Sequence, residues 1–116
     1  MAGRFHIIID LKNVSSSKLS GKESLEEFLK RLPEAIGMKV LYGPVVVEGV
    51  PQNPGLSGFV IIDYSHISIH SFTDSNQALV DIFSCKEYSQ EVAERLVLDF
   101  FQATKQNSRI KEVFWD

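Results

Sequence analysis

The densest run of reactive side chains is Asp63-Tyr64-Ser65-His66-Ile67-Ser68-Ile69-His70-Ser71-Phe72. Strand alternation would put His66, Ser68 and His70 on one face and Ile67 and Ile69 on the other. A metal centre fails on reach. His66 and His70 would stand roughly 13 Å apart along a strand, too far to share an ion that each ligates at about 2 Å. A serine hydrolase fails on spacing, because Gly55-Leu56-Ser57-Gly58 lacks the Gly-x-Ser-x-Gly pattern of a nucleophile elbow. A third chemistry needs only a serine that follows a strained peptide bond. Its hydroxyl attacks the preceding carbonyl to give an ester, β-elimination breaks the ester and leaves dehydroalanine, and hydrolysis turns that into a pyruvoyl group. Such a site requires a base, donors for the oxyanion at the attacked carbonyl, and a fold that strains the joint. The Tyr64-Ser65 joint suits it, because two strand-like runs meet there without a strong turn signal.

The elements that would position these residues are readable from periodicity. Residues 5–11 are an isoleucine-rich run that Asn13 and three serines break, a buried strand followed by a loop. Leu25, Phe28, Leu29 and Leu32 recur at three and four within residues 24–32, opposite Glu26, Glu27, Lys30 and Arg31, which predicts a helix that Pro33 ends or bends. Residues 38–48 read as a strand interrupted at Gly43-Pro44, and residues 49–55 as a loop. Strands over 58–63, 66–72 and 78–85 follow, then an amphipathic helix over 88–106 and a closing strand over 110–115. The order of strand, helix, four strands, helix and strand predicts one α+β domain over residues 1–116. It is a two-layer sandwich of a mainly antiparallel sheet with two helices on one face. The other sheet face would need cover, which a second copy of the chain could supply as a homodimer.

Composition narrows the class. The 116 residues fit a single domain, and 12 Lys and Arg against 15 Asp and Glu give a net charge of −3, so nothing here would hold a phosphate backbone. One cysteine, Cys85, allows neither an intrachain disulfide nor a multi-cysteine metal site, and no metal is expected. On its own it reads as a small buried hydrophobe or a reactive thiol. The longest apolar runs fall short of a membrane span, and Asp10 follows Met1 too closely for a signal peptide, so a cytoplasmic location with no membrane partner is expected.

Three blocks, Gly55-Leu56-Ser57-Gly58, Ser65-His66-Ile67-Ser68-Ile69-His70-Ser71 and Asp81-Ile82-Phe83-Ser84-Cys85, resemble the small prokaryotic S-adenosylmethionine decarboxylase proenzymes in sequence and spacing. The resemblance implies self-cleavage between Tyr64 and Ser65, a pyruvoyl cofactor made from Ser65, assistance to cleavage from Ser57 and His70, and Cys85 as the acid that reprotonates the product carbon. It also implies the reaction, in which substrate amine forms a Schiff base with the pyruvoyl ketone, which then acts as electron sink during decarboxylation in spermidine biosynthesis. The chain departs from the family pattern at Tyr64, where glutamate is usual, at Phe72-Thr73-Asp74 in place of Trp-Pro-Glu, and at Asp10 in place of a glutamate. Residues 47–54 also lack the aromatic that the family uses to stack on adenine. Asp10, Glu48 and Phe72 are therefore the substrate-binding candidates, with Glu48 suited to a cationic substrate. Two rival readings follow: a pyruvoyl-dependent decarboxylase of ornithine or arginine, and an unprocessed relative that only binds a ligand.

Overall fold

The computed structural model of the protein describes residues 3–115. Its elements are β1 (Phe5–Leu11), α1 (Ser16–Leu19), α2 (Lys22–Ala35), β2 (Val40–Val50), β3 (Asn53–Ile62), β4 (Ser65–Phe72), β5 (Gln77–Ser84), α3 (Gln90–Phe101), a 3-10 turn at Lys105–Asn107, and β6 (Ser108–Val113). The strands form one sheet in the order β2-β3-β4-β5-β1-β6, every neighbouring pair antiparallel. This is the expected two-layer sandwich, with a four-residue helix added in what the serines marked as loop.

Alternation along the strands builds the core. Ile7, Ile9, Leu11, Ile67, Ile69, Val80 and Ile82 lie on one face and are fully covered, because the helices lay their own apolar stripe there. Leu25, Phe28, Leu29 and Leu32 of α2 are all buried. At Gly58 a Cβ would meet the side chains of Leu29 and Val46, so the bare backbone of β3 is what lets α2 approach. Pro33 does not end the helix; α2 runs two residues further. The chain stops in a Schellman arrangement, with Gly37 at φ 84, Gly37 N–H on the Glu34 carbonyl and Met38 N–H on the Pro33 carbonyl at 2.9 Å.

Other boundaries moved too, among them the closing strand, expected over 110–115 and found at Ser108–Val113. Residues 49–55 are not a loop: β2 and β3 continue through them and close as a hairpin at Pro51-Gln52. The helix expected over 88–106 is shorter, starting where Ser89 Oγ accepts from Val92 N–H at 3.1 Å and ending at Gln102, whose φ is 53. Buried Ser71 ties the layers together, donating to the Leu19 carbonyl at 2.6 Å and accepting from Leu56 N–H at 2.9 Å. Beside it Gly55 has φ 144, and a Cβ there would collide with the Ser71 carbonyl. Gly55→Ala is therefore expected to cost about 3 kcal/mol in denaturant unfolding, from backbone strain plus overpacking.

Candidate active site

The face away from the helices carries the reactive side chains, and the strand register sorts them into three rows. Ile61, His66, Phe83, His6 and Val113 align in the first row. Phe59, Ser68, Asp81, Ile8 and Lys111 form the second, and Ser57, His70, Leu79, Asp10 and Arg109 the third. His66, Ser68 and His70 thus share one face, as alternation required.

In the third row Ser57 Oγ and His70 Nδ1 share a hydrogen bond of 2.8 Å. This pair lines a shallow, mainly apolar cavity of about 260 Å³ with Val45, Val47 and Phe59. Asp10 lies in the same row with Leu79 between it and His70, and Phe72 stands one alternation beyond His70 at the end of β4. Glu48 pairs with Leu56 rather than with Ser57, so it belongs to the opposite side of the hairpin and is exposed there, apart from the Ser57–His70 pair.

Ser65 opens β4 next to the first row. It has φ 144, a conformation that glycine tolerates and that costs other residues of order 1–3 kcal/mol. The turn before it is held from outside, because Asp63 N–H donates to the Lys39 carbonyl at 2.9 Å and Lys39 N–H donates to Asp63 Oδ1 at 3.0 Å. The Tyr64 carbonyl, the one Ser65 would attack, accepts from the Cys85 backbone N–H at 2.9 Å. This amide is therefore the candidate donor to the oxyanion that attack would form on that oxygen. Cys85 follows β5 as a free, half-buried thiol. Its main chain is set by Ser84, whose buried hydroxyl donates to the Lys86 carbonyl at 2.7 Å and accepts from Lys86 N–H at 2.9 Å.

The resemblance implied roles for Ser65, Cys85, Ser57 and His70, and the structure sets them at two ends of the sheet rather than in one cluster. The Tyr64 carbonyl before Ser65 meets the Cys85 backbone N–H at one end of the sheet; Ser57 meets His70 at the other. Ser65 and His70 are five residues apart on one strand, roughly 16 Å at about 3.3 Å per residue, so this His70 cannot reach this Ser65.

Two features carried no clear signal in the sequence. The Cys85 amide is main chain, and no side-chain pattern reveals it. The second is an aromatic group beside the first row. His6 Nε2 lies 2.8 Å from Asp81 Oδ1, and the His6 ring stacks on Trp115 at 6.0 Å. Phe83 sits 5.0 Å from His6 and 5.7 Å from His66. Below β5, Tyr88 donates its hydroxyl to the Ile82 carbonyl at 3.0 Å. Burial pushes its pKa far upward, so it remains a donor. Tyr88→Phe should lower stability by about 1 kcal/mol in thermal unfolding without changing the fold.

The whole sandwich superimposes on a known one. The crystal structure of the adenosylmethionine decarboxylase from Aquifex aeolicus matches with a TM-score of 0.77 at 24% identity, over 97% of this chain and 88% of that one. The fold class is therefore that of an α/β sandwich shared with that enzyme. Residues 5–112 match the family model for S-adenosylmethionine decarboxylase. S-adenosylmethionine decarboxylase proenzymes of Clostridium botulinum are 34% identical over 83 residues, which is 72% of this chain and 69% of theirs. The proenzyme of Thermodesulfovibrio yellowstonii is 30% identical over 99 residues, 84% of this chain and 70% of its own. The chain belongs to the S-adenosylmethionine decarboxylase family.

Proposed function

We propose that this chain is a proenzyme that cleaves itself between Tyr64 and Ser65 and then decarboxylates S-adenosylmethionine for polyamine (spermidine) biosynthesis in the cytoplasm. The observation that carries the reading is the Cys85 N–H seated on the Tyr64 carbonyl beside a serine at φ 144. A peptide bond so placed has its nucleophile next door and its oxyanion donor in position. As Ser65 Oγ bonds to the Tyr64 carbonyl carbon, the C–N bond breaks and the Ser65 nitrogen gains a proton. Loss of the Ser65 α-proton then expels the Tyr64 carboxylate, and water displaces ammonia to leave the pyruvoyl group at the start of β4.

Once formed, that group supplies an electron sink for decarboxylation. The residues around it bind and move protons. Cys85, whose amide bonds the Tyr64 carbonyl, is in this reading the acid whose thiol returns a proton to the product carbon. Phe83 lies against His66, the residue after Ser65, and Trp115 against Phe83, aromatic surface on which a flat base could stack. This favours a nucleoside substrate over ornithine or arginine, although residues 47–54 hold no aromatic. Carbon dioxide release from carboxyl-labelled S-adenosylmethionine, ornithine and arginine tests the assignment. Release from the first alone is expected; release only from a basic amino acid moves the reading to that substrate.

A homodimer fits the same geometry. The open face exposes Val47, Phe59, Ile61 and Tyr42, apolar surface that a second copy would cover. Two sheets stacked about a two-fold axis can set the third row of one against the first row of the other, bringing the partner's His70 to Ser65. Alone, the His70→Ala and Ser65→Ala chains should remain intact over a period in which the wild type is fully cleaved, with His70→Ala slowed about 100-fold. Co-expressed, they should yield fragments from the His70→Ala chain only. No fragments in the mixture would place the base within a single chain.

A further inference from the structure

We infer that Lys86 is a positioning residue for self-cleavage, gripping Tyr64 so that its carbonyl stays on the Cys85 amide while Ser65 attacks. This rests on the self-cleavage reading and adds to it a residue outside the three blocks that resemble the family. Tyr64 is exposed at the tip of a turn, and a side chain so placed has no intrinsic reason to keep one orientation. Here it has one. The Lys86 ammonium lies 5.1 Å from the centre of the Tyr64 ring, within cation–π range. The same nitrogen donates to the Gly37 carbonyl at 3.1 Å, at the C-terminal end of α2, where unpaired carbonyls favour a cation.

The root of the Lys86 side chain is equally fixed. Ser84, fully buried, bonds both the N–H and the carbonyl of Lys86. Three consecutive residues therefore hold Tyr64 at two points, Cys85 by the carbonyl and Lys86 by the ring, with Ser84 bracing both. Attack by Ser65 Oγ shifts charge onto the Tyr64 oxygen, and a small loss of alignment with its donor slows the reaction steeply.

The test follows cleavage of chains made by cell-free synthesis, quenched at intervals and weighed. Lys86→Ala and Lys86→Met should slow fragment appearance about fivefold or more, the second showing that charge rather than the alkyl stem matters. Lys86→Arg should stay within about twofold of wild type, because guanidinium also stacks on aromatic rings. In the Tyr64→Leu background the Lys86→Ala change should cause no further slowing. Equal slowing by Lys86→Ala whether Tyr64 is present or replaced by leucine would make its role merely structural and overturn the inference. Wild-type rates in Lys86→Ala and Lys86→Met would overturn it too, while leaving self-cleavage intact. A wild-type chain that never cleaves would remove both.

Discussion

Freshly purified wild-type protein is expected to weigh as two fragments, residues 1–64 and the remaining 52, with the second lighter by one ammonia than a chain beginning in serine. The Ser65→Ala protein should weigh as one chain. The missing ammonia decides between chemistries, because hydrolysis by a contaminating protease would leave serine and its nitrogen in place. An intact wild-type chain would remove the cofactor and favour a relative that only binds its ligand. The strain invoked at Ser65 has its own test. Alanine keeps the Cβ that φ 144 penalises, whereas glycine does not. If strain of order 1–3 kcal/mol is stored there, Ser65→Gly should exceed Ser65→Ala in stability by about 1 kcal/mol, even after the usual entropic penalty of glycine. For a domain of this size that is a rise in Tm of roughly 4 °C or more. A lower Tm for the glycine variant would leave the joint unstrained and the acyl shift without that driving force.

Cys85→Ala is expected to separate the two jobs assigned to one residue. The amide that holds the Tyr64 carbonyl is main chain and survives the substitution, so the chain should still cleave, and mass spectrometry should show both fragments. Turnover should fall about 100-fold or more, the scale on which a positioned general acid contributes. Reprotonation at the wrong atom should also appear as covalently modified, inactivated enzyme in the mass spectrum. Full turnover by Cys85→Ala would return the thiol to the role of a half-buried hydrophobe and leave reprotonation to water or another group. A halt in cleavage would mean that the side chain, and not only the amide, acts in processing.

Much of this was legible from residue order alone. The repeats of Leu25, Phe28, Leu29 and Leu32 and the alternation of His66, Ser68 and His70 with Ile67 and Ile69 determined which sides of α2 and β4 would be covered, because burial follows the period of the element. The three blocks around Ser57, Ser65 and Cys85 marked the chemistry through their resemblance to the decarboxylase family. Boundaries were less legible where a breaker sits inside an element. Pro33 lies in the last turn of α2 with only Glu34 and Ala35 after it, and the prolines of residues 49–55 fall at or beside a hairpin turn rather than across a loop.

The tertiary structure alone decided the arrangement of the site. Register between β3, β4 and β5 put Ser57 against His70 and left both a strand's length from Ser65, a separation no one-dimensional spacing reveals because it depends on which residues face each other across strands. The donor to the Tyr64 carbonyl is a backbone N–H, and every residue but proline has one, so only the fold could single out that of Cys85. The grip of Lys86 on Tyr64 likewise joins residues distant in sequence through a loop whose shape is set by one buried serine hydroxyl. Sequence determined the chemistry available to this protein, because chemistry resides in side-chain type. Folding decided which bond that chemistry can reach, because reach is a matter of distance.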